Sequence, residues 1–189
     1  MRLPFLTALL AAAAAPAAAQ DMACPYNANM KLETRRSPLD SVSFDVAGTA
    51  VKICYGRPSL RGRTMIGGEA VPFGQVWRTG ANETTKFIAT APVKVGAIDV
   101  PAGMYALYTQ PGESEWEVII NRSYEQWGQE RSYTDEVKAQ EVGRVKATVE
   151  RLAEPIEQFT IRTEPQTDGT VHLVLEWEHT RVRVPVSGK

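Results

Sequence analysis

Arginine and glycine are concentrated in one stretch of this chain, residues 56–84, which also contains a tryptophan, an asparagine and glutamates. Its four arginines are Arg57, Arg61, Arg63 and Arg78. Guanidinium groups bind carboxylates, phosphates and sulfates through paired hydrogen bonds, and neighbouring glycines let backbone N–H groups approach an anion. The stretch therefore predicts a pocket for a small polar or anionic ligand. It also permits a second interpretation, in which the arginines only stabilise a long loop by donating to carbonyl groups and to Glu69 or Glu83.

Six side chains are the candidates for contact with this ligand: Arg57, Arg63, Trp77, Arg78, Asn82 and Glu83. Glu83 is the strongest candidate for proton transfer, a role that requires a shifted pKa and a partner group. The protein would then be a hydrolase-like enzyme in which Arg63 and Arg78 stabilise charge. A salt bridge from Glu83 to one of these arginines is the structural alternative, so the residues leave open whether the protein is an enzyme. A third interpretation is a structural or envelope-interaction protein without a ligand.

Motifs for metals and cofactors do not occur in the sequence. The two histidines, His172 and His179, match no usual spacing of metal ligands. The chain contains no G-x-S-x-G nucleophile motif, no Walker-type phosphate loop and no dinucleotide fingerprint. We therefore expect no metal and no cofactor.

The tryptophans outside the arginine-rich stretch divide into two kinds. Trp116 and Trp177 alternate with aliphatic residues and are expected in the core. Trp127 lies with Tyr124 in a polar segment. It could stack on a ligand ring or cover the core.

The first 19 residues have the features of a secretory signal peptide. Arg2 precedes an apolar run, Leu3–Ala15, and the small residues Ala17–Ala19 follow it, so cleavage is expected after Ala19. The run is too short to span a bilayer, which takes about 20 apolar residues. We therefore expect a periplasmic or secreted protein with no membrane span. A formal net charge of −1 gives no reason to expect binding to nucleic acid.

Two cysteines, Cys24 and Cys54, belong to the expected mature chain. In an oxidising compartment they could form a disulfide. Cys54 also lies within an apolar strand pattern, where a small buried thiol would be ordinary. The sequence leaves both interpretations open.

Short alternating segments follow an irregular leader at residues 20–40 and predict one domain at residues 41–189. The expected strands are 41–46, 49–55, 86–91, 93–95, 98–100, 104–109, 115–121, 144–151 and 158–163. The first two should form a hairpin, and so should 93–95 and 98–100. Residues 134–140 predict a short helix with Thr134 as its N-cap. The arginine-rich stretch, rich in glycine and proline, predicts a long ordered loop.

The C-terminal segment predicts a further hairpin with His179 and Thr180 in its turn. Residues 171–177 and 182–186 carry apolar side chains on alternate positions. In this register Glu178 would oppose Arg181 and Glu176 would oppose Arg183. With this pair the chain contains about ten short strands, which indicates an all-β fold, an antiparallel β-sandwich of jelly-roll-like or barrel-like form with little helix.

Several motifs together resemble a bacterial exported family known as "domain of unknown function 2911". One motif is the run Val76–Thr84, VWRTGANET, of which Trp77–Thr84 is the most specific part. The others are Ser37–Pro38, Tyr55–Ser59, Gly62–Arg63, Val71–Gly74, Pro101–Leu107, Trp116, Ile120–Asn121, Trp127–Gly128 and Trp177–Glu178. The resemblance covers nearly the whole mature chain and implies an exported β-rich protein. It implies no activity and no catalytic residue.

Overall fold

A computed structural model describes residues 22–127 and 132–189. The predicted signal peptide and Gly128 lie outside the described residues. The strands are β1 (Leu39–Val46), β2 (Thr49–Gly56), β3 (Thr85–Ala89), β4 (Val93–Val95), β5 (Ile98–Val100), β6 (Gly103–Gln110), β7 (Glu115–Asn121), β8 (Glu141–Pro165) and β9 (Val171–Gly188). The helices are a 3₁₀ turn at Leu32–Thr34 and α1 at Asp135–Lys138. Thr134 accepts a hydrogen bond from the N–H of Val137, which confirms the predicted N-cap of α1.

The nine strands form one antiparallel sheet in the order β1-β2-β3-β6-β7-β8-β9-β4-β5. β8 connects its two halves, because its first part pairs with β7 and its second part pairs with β9. The sheet folds over so that β5 packs against β8. The predicted all-β sandwich or barrel-like fold is therefore confirmed.

The core lies between the two halves of the folded sheet. β2 contributes Val51 and Ile53, and β9 contributes Val182 and Val184, all almost inaccessible to solvent. Trp116 and Trp177 are also buried there, as predicted. The outer face of β2 and β3 is different, since it presents Lys52, Cys54 and Lys86, all of which are buried. The leader covers part of this outer face: the Lys52 ammonium donates to the carbonyl of Met22, and Cys24 forms a disulfide with Cys54.

One predicted pair of strands is a single strand. Residues 144–151 and 158–163 were expected to be separate, but β8 continues through both. Its register against β9 shifts between Arg151 and Ile156 and again before Thr160. Pro155, which has no N–H to donate, lies within the first shift. The interruption in the sequence pattern therefore reflects irregular pairing inside β8, not an end of the strand.

The predicted C-terminal hairpin is wrong for a related reason. β9 runs without reversal from Val171 to Gly188. The side chains of β9 that lie in the hydrophobic core have odd numbers up to Trp177 and even numbers from Val182 onward. Glu178 has a φ of 51° at this point, and one extra residue in a bulge shifts which face of a strand the side chains occupy. A bulge and a turn therefore have the same effect on the sequence pattern here, because each changes which alternate positions are apolar.

The charged pairs predicted for that hairpin are wrong as well. Along β8 and β9, Arg162, Arg181 and Arg183 pair with Glu150, Glu164 and Glu176, and we call these six side chains the arginine–glutamate ladder. The Nε of Arg162 lies 2.9 Å from Glu176, and the Nε of Arg183 lies 2.7 Å from Glu164. Arg181 contacts both Glu176 and Glu150. The Glu178 carboxylate instead accepts hydrogen bonds from the backbone N–H groups of Met65 and Ile66.

No helix among the residues that the structure describes is long and apolar enough to cross a membrane.

Candidate functional site

The arginine-rich stretch forms the connection between β2 and β3, and Trp77 anchors it to the core. Only 4% of Trp77 is exposed. Its ring stacks on Trp177 with ring centroids 5.7 Å apart and planes 15° from parallel, and it meets the edge of Phe159. The indole N–H donates to the carbonyl of Gly80 at 3.1 Å. Trp77, a predicted ligand contact, is therefore placed to hold the loop rather than to touch a ligand.

Close backbone packing explains why a glycine occupies position 56, in the motif Tyr55–Ser59. A Cβ atom at this position would lie 2.0 Å from the carbonyl oxygen of Ala81. The N–H of Ala81 donates to the carbonyl of Gly56 at 3.1 Å. The end of the loop therefore packs directly on the end of β2, and any side chain at Gly56 would push it away.

Glu83 is paired with Arg35, a residue of the leader. Its carboxylate accepts two hydrogen bonds from the guanidinium of Arg35, at 2.9 and 2.7 Å, and one from the N–H of Asn27 at 2.6 Å. The Arg35 side chain is fully buried and that of Glu83 is 14% exposed. Burial alone would raise the pKa of Glu83, but the bonds from Arg35 and Asn27 outweigh it, and the pKa lies below its ordinary value.

This pairing has a consequence for catalysis. A carboxylate with a lowered pKa stays ionised at neutral pH, and three hydrogen bonds already occupy it. The geometry therefore gives no support to Glu83 as a proton donor. Arg35 was not predicted as a partner of Glu83; the only signal for it in the sequence is its position with Arg36 directly before the motif at Ser37–Pro38.

Arg78 and Asn82 join the same end of the loop to other segments. Arg78 donates to the carbonyl of Asn82 at 2.6 Å and to that of Trp127 at 3.4 Å. The side-chain amide of Asn82 donates to the carbonyl of Ser37 at 3.0 Å. Asn82 has a φ of 66°, a conformation that asparagine tolerates better than most residues. Both side chains therefore have structural partners.

Arg57 lies at the start of the loop and connects it to β8. It donates to the carbonyl of Phe159 at 3.3 Å and to the hydroxyl of Thr160 at 2.9 Å. Asp40 is a more distant partner at 3.4 Å. Of the six predicted site residues, only Arg63 therefore lies in an open arginine-lined depression.

Three arginines and two serines line this depression, which we call the arginine cleft: Arg36, Ser37, Ser59, Arg61 and Arg63. Its volume is about 210 Å³. Backbone carbonyls hold two of the guanidinium groups in place, since Arg63 donates to the carbonyls of Leu60 and Ser59 at 3.0 and 3.1 Å and Arg61 donates to that of Arg36 at 2.8 Å. The Ser59 hydroxyl accepts from the amide of Gln158 at 3.2 Å, so its own proton remains available to donate.

The charge of the arginine cleft is not balanced by an ion pair. Within residues 22–127 and 132–189, none of its three guanidinium groups forms a salt bridge with a carboxylate. Glu157 is nearby, but its carboxylate accepts the backbone N–H of Arg61 at 3.0 Å. A neutral carbonyl stabilises a guanidinium without neutralising it. The cleft can therefore attract an anion and offer it several N–H donors.

A larger cavity of about 470 Å³ adjoins Arg63 on another side. Its walls include Leu60, Phe73, Arg151 and Glu178. Arg63 thus borders both spaces. Among the described residues, no three His, Cys, Asp or Glu side chains gather in a way that could hold a metal ion.

A second feature was not predicted from the sequence. Lys86, on β3, is buried and lines a cavity of about 350 Å³ together with Glu83 and Trp127. The sequence offered only a weak signal for it, a lysine in an otherwise apolar strand.

Comparison with known proteins gives one match. A family model described as "Protein of unknown function (DUF2911)" matches residues 37–186. This range includes the whole loop and every strand pairing around it, whereas Cys24, Arg35 and Arg36 precede it. No curated protein and no solved structure matches the chain.

Proposed function

We propose that this chain, which belongs to the DUF2911 family of unknown function, is an exported protein that binds a small anionic ligand in the arginine cleft. The observation that carries the proposal is the group of three guanidinium groups around one small cleft. Carbonyls hold two of them, those of Arg61 and Arg63, and within the described residues none of the three forms an ion pair. A phosphate, sulfate or carboxylate group would supply the missing negative charge. The hydroxyls of Ser37 and Ser59 are further donors to such a group.

The number of free donors supports an anion over a neutral ligand. A guanidinium has five N–H donors, and Arg63 uses its Nε and one terminal nitrogen for carbonyls. Arg61 uses one terminal nitrogen in the same way. The remaining N–H groups are available, and the bonds to carbonyls orient them in advance, which reduces the entropy lost on binding.

Two features support export. The N-terminal sequence has the pattern of a signal peptide. The disulfide between Cys24 and Cys54 is typical of proteins in oxidising compartments.

The test is a titration of residues 20–189 with inorganic phosphate, sulfate and acetate by calorimetry at low ionic strength. We expect at least one of these anions to bind, and binding to weaken as salt is added because the attraction is screened. Arg61→Ala and Arg63→Ala should each weaken it at least about tenfold, the loss expected for a charged hydrogen bond. Arg122→Ala, which changes an exposed arginine outside the cleft, is the matched control. Equal affinity in all four proteins, or no binding of any anion, would leave the arginines with a structural role alone.

A further inference from the structure

The cavity beside Lys86 is separate from the arginine cleft and lies on the outer face of the sheet. Lys86 is only 6% exposed, although its neighbours in register, Cys54 on β2 and Ala106 on β6, leave its long side chain on the outer face. A lysine is seldom buried without a paired charge. Packing alone therefore does not account for the burial of Lys86.

Hydrogen bonds fix the orientation of the Lys86 amine. Nζ donates to the hydroxyl of Thr84 and to the carbonyl of Tyr124. Neither partner is a carboxylate, and among the described residues these are its only two acceptors. An ammonium has three N–H bonds, whereas a neutral amine has two and a lone pair. The two acceptors therefore satisfy the neutral amine completely and leave the position of its lone pair unoccupied.

The charges around Lys86 come from two directions. Glu83 precedes β3, and Glu125 lies in the segment after β7; both also line the cavity. Burial lowers the pKa of Lys86, and the negative charges of Glu83 and Glu125 offset this only in part, so that the pKa falls from 10.5 to about 8. Glu83 has Arg35 as its own partner at 2.7 Å, which limits its effect on Lys86.

Aromatic side chains form the walls of the cavity. Tyr26, Tyr124 and Trp127 all line it. Tyr26 belongs to the leader, which the disulfide of Cys24 holds against β2. The guanidinium of Arg35 lies 5.7 Å from the centre of the Tyr26 ring and helps to fix it. The cavity thus combines a buried amine with flat apolar surfaces.

We propose that this cavity is a second ligand site, in which the Lys86 amine forms a reversible imine with a small aldehyde or ketone whose body packs against Tyr26 and Trp127. The lone pair of Nζ forms the C–N bond while the π electrons of the carbonyl move to its oxygen. A proton passes from nitrogen to that oxygen and gives a carbinolamine. A solvent proton then adds to the hydroxyl oxygen, water leaves as the C–O bond breaks, and the nitrogen lone pair forms the C=N bond of the protonated imine, with no change in oxidation state. Glu125 is the nearby carboxylate that can accept and return the proton.

Reductive trapping tests this proposal directly. The folded protein is incubated with benzaldehyde and sodium cyanoborohydride at pH 7.5, and the benzylated lysines are quantified by tandem mass spectrometry. At this pH about a quarter of an amine with a pKa of 8 is neutral, against about one in a thousand for an ordinary lysine. We expect Lys86 to react at least about tenfold faster than the exposed Lys31 and Lys138, after allowance for its lower access and lower basicity.

Two variants separate a ligand site from a merely reactive amine. Trp127→Ala should slow the benzylation of Lys86 at least about fivefold and leave Lys138 unchanged, because it removes a wall of the cavity. Arg63→Ala, in the arginine cleft, should change neither rate, so failure of the anion proposal would not affect this result. Thermal unfolding of each protein verifies that the labelled molecules are folded. Equal rates at Lys86 and Lys138 would overturn the proposal, and so would fast labelling that Trp127→Ala leaves intact.

Discussion

Arginines occur in two groups in this protein, and their partners differ. In the arginine–glutamate ladder on β8 and β9, three arginines meet three glutamates at distances such as 2.7 Å between Arg183 and Glu164. In the arginine cleft, Arg61 and Arg63 donate to backbone carbonyls, and none of the three arginines forms an ion pair within the described part of the chain. The ladder is electrically balanced by its own side chains, and the cleft is not.

This difference separates structural arginines from candidate binding arginines better than exposure does. The side chains of Arg162 and Arg183 are 35% and 32% exposed in the ladder, so solvent reaches them too. Their positive charge is not available to a ligand, because Glu176 and Glu164 already neutralise it. A guanidinium held by carbonyls keeps its charge for a ligand. Arg57 and Arg78 in the loop are intermediate cases, since carbonyl and hydroxyl partners occupy them on several sides.

The largest loss of stability should come from replacing the residue that holds the arginine-rich loop in place. Trp77→Ala would remove a buried ring that packs on Trp177 and Phe159, and should lower the free energy of unfolding by about 3–5 kcal/mol. Urea denaturation measures this loss. Phe73→Ala, which truncates a ring that is 39% exposed in the same loop, is the control and should cost less than about 1 kcal/mol. Similar losses in both variants would mean that the loop has no specific anchor.

Glu83, in the same loop, pairs with Arg35, and its removal should cost nearly as much. Glu83→Ala leaves the fully buried Arg35 without its anion, a change that typically costs about 3–5 kcal/mol. A double-mutant cycle with Arg35→Met isolates the pair. We expect the double variant to be more stable than Glu83→Ala alone, because it no longer buries an unpaired charge. Additive losses would contradict the pairing.

The ladder should lose stability in acid. The pKa of Glu164 is lowered to about 2, mainly by the hydrogen bond from Arg183. Burial alone would raise the pKa of Glu176, but the bonds from Arg162 and Arg181 lower it below its ordinary value. A carboxylate with a depressed pKa stabilises the native state above its unfolded pKa of about 4.5, and this contribution disappears as the pH falls toward 2.

Glu176→Gln tests that expectation at neutral pH and in acid. It should cost about 1–3 kcal/mol at pH 7, because two charged hydrogen bonds become weaker. The cost should shrink as the pH falls below 4.5 and the wild-type carboxylate also becomes protonated. Thermal unfolding across this range measures both values. A cost that does not depend on pH would show that the charge of Glu176 is not what matters.

The smallest effect should come from the arginine cleft. Arg61→Ala and Arg63→Ala remove bonds to carbonyls that lie near solvent, so each should change the free energy of unfolding by less than about 0.5 kcal/mol. Their effect on phosphate binding should be much larger. Chemical denaturation measures the free energy of unfolding of each variant, and calorimetry measures its affinity for phosphate. A loss of stability comparable to that of Glu176→Gln would remove the contrast between the cleft and the ladder.

Strand positions could be predicted well because alternation is a local property. The hairpins at β1–β2 and β4–β5 and the strand Glu115–Asn121 follow from it directly. The prediction of a C-terminal hairpin was wrong because a bulge at Glu178 changes the apolar positions from odd to even numbers, as a turn would. The prediction of two strands in place of β8 was wrong for a similar reason, since the irregular register around Pro155 has the sequence pattern of a strand end.

The site could be predicted only in part. Arg63 was among the candidates and lines the cleft, but Arg36 was not, and Lys86 was missed altogether. Side-chain types indicate what a residue can bind. They do not indicate which partner is nearest when residues far apart in the sequence meet, as Arg35 and Glu83 do.

The sequence by itself determined an all-β chain with a long glycine-rich loop, because the period of apolar residues and the placement of glycine and proline act over a few neighbours. Tertiary structure decided which arginines in and near that loop are already satisfied. Ion pairs and desolvation depend on distances across the fold. These distances bring Glu83 to Arg35, pair Arg61 and Arg63 with backbone carbonyls, and bury Lys86 beside a cavity that the disulfide-bonded leader also lines.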